Sequence, residues 1–202
     1  MLAHYLARWD GGRYAEVLLH GDIHQENANK IGVSRKLVKT ISYAFLYGAG
    51  DQKLGLSYDK QLSPEKAKKK GKEIRKAYVD AIPGLEKLLA AVHKASERGY
   101  VQAIDKRRIL VDSKHKSLNY LIQGSSAVLA KRWMVLTHEN LPPTARQLAF
   151  VHDELQFECE EKDVKDLKFL LELSAVQAGE YYKIRCPIAA ESQSGLTWAD
   201  VH

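Results

Sequence analysis

Arg35, Lys39, Tyr43 and Tyr47 recur at every fourth residue. On an α-helix each such step drifts about 40° around the axis and climbs about 6 Å, so the four form one slanting stripe. Two cations followed by aromatic planes suit a nucleoside triphosphate, with the cations on the phosphates and a ring against sugar and base. A basic, solvated helix face carrying a buried tyrosine accounts for the spacing equally well. A second candidate is His152-Asp153-Glu154, set between the β-prone runs Leu148–Val151 and Leu155–Cys159. Two adjacent acids are costly to hold near a core unless a cation meets them. Mg²⁺, a hard ion that takes carboxylate and phosphate oxygens, would serve; a water-exposed acidic turn explains the segment as well. Asn119 and Gln123 are the third candidate, because amides both donate and accept and so suit the acceptors shared by all base pairs in a minor groove. Alone, such a pair reads as polar helix surface.

These residues need elements to hold them. Ser34 is a good N-cap and Gly48 and Gly50 can close a helix, which predicts a helix over 34–48 with Val38, Ile41 and Phe45 on its core side. Upstream, Leu2, Tyr5, Leu6 and Trp9 share one helix face, Asp10-Gly-Gly interrupts, and Tyr14–Leu19 continues as a short helix. Asp22 with Gln25 three residues on has the form of a capping box, and places His24, by itself an ordinary surface histidine, in the first turn. Residues 51–100 read as polar helices, with Ser63-Pro64 a start and Pro83-Gly84 a break. A weak hairpin is expected around Asp105–Arg108, a long amphipathic helix from Ser117 to Glu139, a break at Leu141-Pro-Pro143 and a hairpin with Asp153 at its tip. Leu155, Phe157 and Cys159 alternate with Gln156 and Glu158. Val164, Leu167, Leu171 and Ala175 share a helix face within 161–180, and Cys186–Glu191 reads as a last strand before a Trp198…His202 tail.

Arg35-x3-Lys39-x3-Tyr43-x3-Tyr47-Gly48 resembles the nucleotide-binding fingers helix of family A, or polymerase-I-like, DNA polymerases. The wording YAFLYGAGDQKLG is similar to the phage-encoded branch of that family, and GDIH, LNYLIQGSSA and VHDE follow the family's order across nearly the whole chain. The resemblance implies an α+β fold: a palm helix at 1–20, a mostly helical fingers subdomain at 21–116, and at 117–202 a palm subdomain with part of an antiparallel sheet and packed helices. It implies DNA-directed nucleotidyl transfer from dNTPs to a primer end by two Mg²⁺ ions. His24, Arg35, Lys39 and Tyr43 would bind the nucleotide, and Lys39 would also stabilise or protonate the departing pyrophosphate. Tyr47, Gly48, His115, Asn119, Gln123 and His152 would contact primer-template DNA. Asp153 would ligate metal, with Glu154 a secondary carboxylate. Lys106 stands where the family's hairpin turn usually has glycine.

Composition bounds these readings. Two cysteines exclude a disulfide framework or a cysteine-rich zinc site, and together with the lack of a signal peptide or membrane-length apolar run point to a reducing cytoplasm. The formal net charge of +6 is unevenly spread: residues 60–116 hold 16 Lys/Arg against 7 Asp/Glu, and residues 150–202 hold 5 against 11. That asymmetry suits one polyanion-facing region and a separate carboxylate-bearing one, or simply two solvated faces. Two-metal transfer needs at least two placed aspartates, and only Asp153 stands in a matching motif. The family's other aspartate lies in an Asp-x-Ser-x-x-Glu-Leu-Arg segment just before wording similar to MLAHYLARWDGG, so a second polypeptide supplying that motif, the thumb and any 3′–5′ exonuclease is expected; a truncated sequence or an incomplete gene is the competing explanation. A rival reading is a non-catalytic DNA-binding or polymerase-associated protein that keeps the fold.

Overall fold

The computed structural model describes residues 1–201; His202, the last residue of the expected tail, lies outside them. The chain is α+β and forms two compact units, one ending at Gly124 and the other beginning at Ser125. In order the elements are α1 (Leu2–Asp10), α2 (Arg13–His20), α3 (Ile23–Ile31), α4 (Arg35–Leu46), α5 (Asp51–Tyr58), α6 (Pro64–Ala81), α7 (Leu85–Ser96), β1 (Tyr100–Gln102), β2 (Arg108–Leu110), α8 (Ser117–Glu139), β3 (Arg146–Val151), β4 (Glu154–Glu158) and α9 (Val164–Tyr181). None of the described helices is long and apolar enough to cross a membrane.

In the first unit, local signals set the helix ends. Asp10, expected only as an interruption, caps α2 by accepting from the amides of Gly12 (2.8 Å) and Tyr14 (2.9 Å). The Ser34 hydroxyl accepts from the Leu37 amide at 3.3 Å and starts α4. At the other end Gly48 is left-handed, φ 73°. Its amide bonds to the Phe45 carbonyl (3.0 Å) while that of Ala49 bonds to Ala44 (2.8 Å), the paired closure of a Schellman motif. Gly50 does not share the stop: it is extended and serves as the N-cap of α5. The capping box at Asp22 is also one-sided, since the Gln25 side chain donates to Asn29 (2.8 Å) instead of reaching back.

The core of this unit gathers Leu2 and Leu6 of α1, Ile41 and Phe45 of α4, Leu54 of α5, Ile74 and Tyr78 of α6, Leu85 and Leu88 of α7, and Leu118 and Leu121 of α8. Helices α5 and α6 cross at backbone contact. A Cβ added to Gly71 would stand 1.6 Å from the Asp51 carbonyl oxygen, and one added to Gly55 would stand 1.9 Å from that of Ala67. The hairpin β1–β2 pairs Tyr100 with Leu110 and Gln102 with Arg108. Lys106 holds φ 69°, so it adopts the left-handed geometry that glycine would take without a steric cost.

In the second unit β3 and β4 pair antiparallel as a two-stranded sheet, with a bulge where Gln147 opposes Phe157 and Ala149 opposes Gln156. The bulge leaves Leu148 as the unopposed residue, 59% exposed. In β4 burial does not follow the expected alternation: Leu155, Gln156 and Phe157 are all half-buried. Helix α9 buries Leu167, Ala175 and Ala178, and the Trp133 indole of α8 donates to the Leu171 carbonyl at 2.9 Å. The strand expected at Cys186–Glu191 does not form. The segment is held instead by side-chain packing: a Cβ on Gly179 would lie 2.7 Å from Cγ1 of Ile188, so Ile188 seats directly on the α9 backbone.

The α5–α6 crossing tolerates no side chain at Gly71. Alanine there improves helix propensity by about 1 kcal/mol but must push the two backbones apart. Gly71→Ala is expected to lower unfolding free energy by at least about 2 kcal/mol, read from urea denaturation. An unchanged or raised midpoint would show that the helices are not in backbone contact.

Candidate nucleotide and DNA site

Burial of Val38 and Ile41 at 0% exposure turns the opposite side of α4 to solvent. Arg35 and Lys39 are exposed, as are Tyr43 (52%) and Tyr47 (62%). The tyrosine rings thus lie on the surface, against the alternative of a basic face with a buried tyrosine. Helix α3 packs beside α4 and brings His24 to the cationic end of the stripe. Arg35 Nε donates to Asp22 Oδ2 at 2.6 Å, an ion pair thirteen residues apart in sequence. The same carboxylate accepts through Oδ1 from the amides of His24 and Gln25, both at 3.0 Å. The hydrogen bond from Arg35, then that from the Gln25 amide, holds the Asp22 carboxyl below the ordinary carboxylate range.

His24 is half-buried, and its Nδ1 is shielded from solvent with no hydrogen-bond partner among the described residues. Its pKa is depressed, first by burial, then by Arg35; Asp22 opposes the shift and Lys39 adds to it. Three cationic or potentially cationic groups therefore share one neighbourhood. A neutral imidazole there is a poor charge but a ready donor and acceptor, and a bound polyanion would favour its protonated form.

At the other end of α4, Gly48 faces the single-turn 3₁₀ segment Lys114–Lys116: a Cβ on Gly48 would lie 3.5 Å from the His115 carbonyl oxygen and from Cγ of Lys116. Gly48 and His115 are thus neighbours across 67 residues of chain, with Tyr47 preceding Gly48. His115 Nδ1 lies 2.7 Å from Ser113 Oγ. Asn119 and Gln123 follow on α8, the first half-buried and the second exposed. The loop after α4 is tied by a residue that the sequence did not single out. Arg75 of α6 donates through Nε to Asp51 (2.6 Å) and through Nη2 to the Ala49 carbonyl (2.5 Å), and stacks over Phe45 with Cζ 5.6 Å from the ring centroid. No local pattern marks it, because its partners lie 24 and 26 residues away.

In the second unit His152 and Asp153 form the two-residue turn between Val151 and Glu154. His152 has φ 57° and Asp153 does not share the positive φ, the arrangement of a hairpin turn that is left-handed at its first position only. His152, Asp153 and Glu154 are all exposed, and the Gln156 amide donates to Glu154 Oε1 at 2.8 Å. Among the described residues no group of three or more His, Cys, Asp or Glu side chains is gathered as a metal site.

The depressed His24 pKa has a pH consequence. Its folded value lies below the ordinary 6.5, so in the window between them the unfolded chain binds more protons. Its contribution to stability is whole above about pH 6.5 and is lost as pH falls through the folded value. NMR titration is expected to place the His24 midpoint below 6.5, and His24→Gln to lose less stability than the native chain between pH 7 and 5. A midpoint at or above the ordinary value would contradict the shielded, cation-flanked placement.

Comparison with known proteins bears on the whole set. The model of DNA polymerase family A matches residues 14–200. The chain is 30% identical to the DNA-directed DNA polymerase of Escherichia phage T7, over 100% of this chain and 31% of that protein. It is 34% identical to the DNA-directed DNA polymerase of Escherichia phage Phieco32, over 94% of this chain and 32% of that protein. It shares its fold with the POL domain of Pol1 from M. smegmatis, solved in complex with DNA primer-template and dNTP, at a TM-score of 0.79 and 24% identity over 100% of this chain and 38% of that one. The chain spans about a third of the length of the curated relatives it matches. With the family's pattern running through 14–200, the chain belongs to DNA polymerase family A.

Proposed function

We propose that this chain is the nucleotide- and DNA-handling part of a DNA-directed DNA polymerase, which extends a primer from dNTPs once a complementary segment completes its metal site. The observation that carries the reading is the exposed row on α4, with His24 brought beside its cationic end and His115 beside its glycine end. A mere binder of polyanions has no need of aromatic planes in register with the cations.

In this reading Arg35 and Lys39 take the triphosphate oxygens, Arg35 through its fork and Lys39 as a point charge. His24 adds a ring donor, and Lys39 stabilises or protonates the departing pyrophosphate. Tyr43 packs along the nucleotide sugar, while Tyr47 and Gly48 line the template side. His115, Asn119 and Gln123 follow the primer-template, and His152 meets the primer end. Asp153 and Glu154 are exposed carboxylates at a hairpin tip, hard donors of the kind Mg²⁺ takes. They fit one side of a metal's coordination shell and not the whole of it, since no further acid joins them among the described residues. Bound divalent ions would supply charge stabilisation at the transferring phosphoryl group.

A further carboxylate is needed to complete the site, and we assign it to a segment outside these residues, on the same polypeptide or on a second one, that carries the thumb and, where present, a 3′–5′ exonuclease. The two-stranded sheet is compatible with a further strand from that segment, because among the described residues β3 and β4 pair only with each other, and Leu148 and Val151 of β3 are exposed.

Primer extension separates the possibilities. The chain alone, with Mg²⁺, dNTPs and primer-template, is expected to bind DNA without extending it, and to extend it when the complementary chain is added. Robust synthesis by the chain alone would refute the need for a partner, and DNA binding without synthesis in the assembled pair would favour the non-catalytic reading. In that assembly Asp153→Ala is expected to cut turnover by at least about a thousandfold while leaving DNA binding within about twofold. Retained turnover would remove Asp153 from the metal site.

A further inference from the structure

We propose that Asp22 is a positioning residue of the triphosphate site, a single carboxylate that caps the helix carrying His24 and aims the guanidinium of Arg35. The inference rests on the reading of the α4 stripe as a nucleotide site. A carboxylate beside groups meant for a polyanion needs a physical reason, and the geometry supplies one. Oδ1 is taken by the His24 and Gln25 amides at 3.0 Å, which sets the first turn of α3 and with it the His24 ring. Oδ2 is taken by Arg35 Nε at 2.6 Å. A guanidinium has five N–H donors in a fixed plane, so holding it at Nε leaves the Nη edges to face phosphate oxygens.

Both side chains are about half exposed, 51% for Arg35 and 42% for Asp22. At that exposure a lone arginine would sample many rotamers and lose that freedom on binding, which weakens affinity. A carboxylate behind the guanidinium removes the loss in advance, as partners behind metal-binding histidines do. Bare electrostatics argues the reverse: an acid near a triphosphate repels it, and removing the charge tightens binding. The two accounts differ in sign.

Asp22→Asn separates them, because asparagine caps helices about as well as aspartate but cannot form the charged pair. Affinity of the full chain for a fluorescent dNTP with Mg²⁺ is measured for the native protein, Asp22→Asn, Arg35→Ala and the double variant, with thermal midpoints alongside. The expected result is a loss of about five- to tenfold for Asp22→Asn at a nearly unchanged midpoint. That loss is expected to vanish in the Arg35→Ala background, since Asp22 acts through Arg35. The Arg35 Nε–H resonance is expected to be distinct and slowly exchanging in the native chain and averaged in Asp22→Asn. Equal or tighter binding by Asp22→Asn, or the same loss with and without Arg35, overturns the positioning role. A native chain that binds no dNTP overturns the nucleotide site itself and this role with it, whereas native binding with no loss in Asp22→Asn overturns this role alone.

Discussion

Val38, Ile41 and Phe45 of α4 are buried to 5% exposure or less, and Ile41 and Phe45 join Leu2, Leu6, Leu54 and Tyr78 in one core cluster. Full burial of each such side chain is worth about 1.5–3 kcal/mol, so rotating α4 by even a third of a turn would forfeit several kcal/mol. That constraint fixes which residues face outward. Arg35, Lys39, Tyr43 and Tyr47 lie on the far side of the helix by the same periodicity, and the core thereby presents them. The ends of α4 fix its position along the axis: Ser34 at the start, and at the finish the Gly48 closure with Arg75 tying Ala49 and Asp51 back to α6.

Much of this was legible before any coordinates. The capping serine, the four-residue recurrence and the left-handed glycine are local signals, and the structure has α4 where they place it. The long helix runs from Ser117 to Glu139 as expected, a stretch without proline whose buried positions include Leu118, Leu121 and Val128. The resemblance of four motifs to one polymerase family added what periodicity could not, a candidate ligand for the exposed row.

What could not be read depends on partners far apart in the chain. The Asp22–Arg35 pair needs α3 and α4 to be packed side by side, and Arg75 reaches across two helices, so neither leaves a spacing pattern. Cys186–Glu191 has the apolar character of a strand, but strand formation requires a neighbour with free backbone groups, and the segment rests on α9 through Ile188 instead. The bulge at Leu148 similarly interrupts the regular pairing of the sheet. Lys106 shows the opposite case: the turn kept its left-handed residue although the sequence lacks the glycine that would favour it, which implies that flanking contacts, including the Ala103 carbonyl bonded to the Lys106 amide at 2.9 Å, outweigh a cost of about 1–2 kcal/mol.

The central claim is that the outward face of α4, with His24, is where a nucleoside triphosphate docks. Amide and side-chain chemical-shift mapping of the native chain on titration with a Mg²⁺–dNTP tests it most directly. The account predicts shifts concentrated at His24, Arg35, Lys39 and Tyr43, with the core-side residues Val38, Ile41 and Phe45 of the same helix little changed. Shifts centred elsewhere in the chain, with this row unmoved, would contradict it.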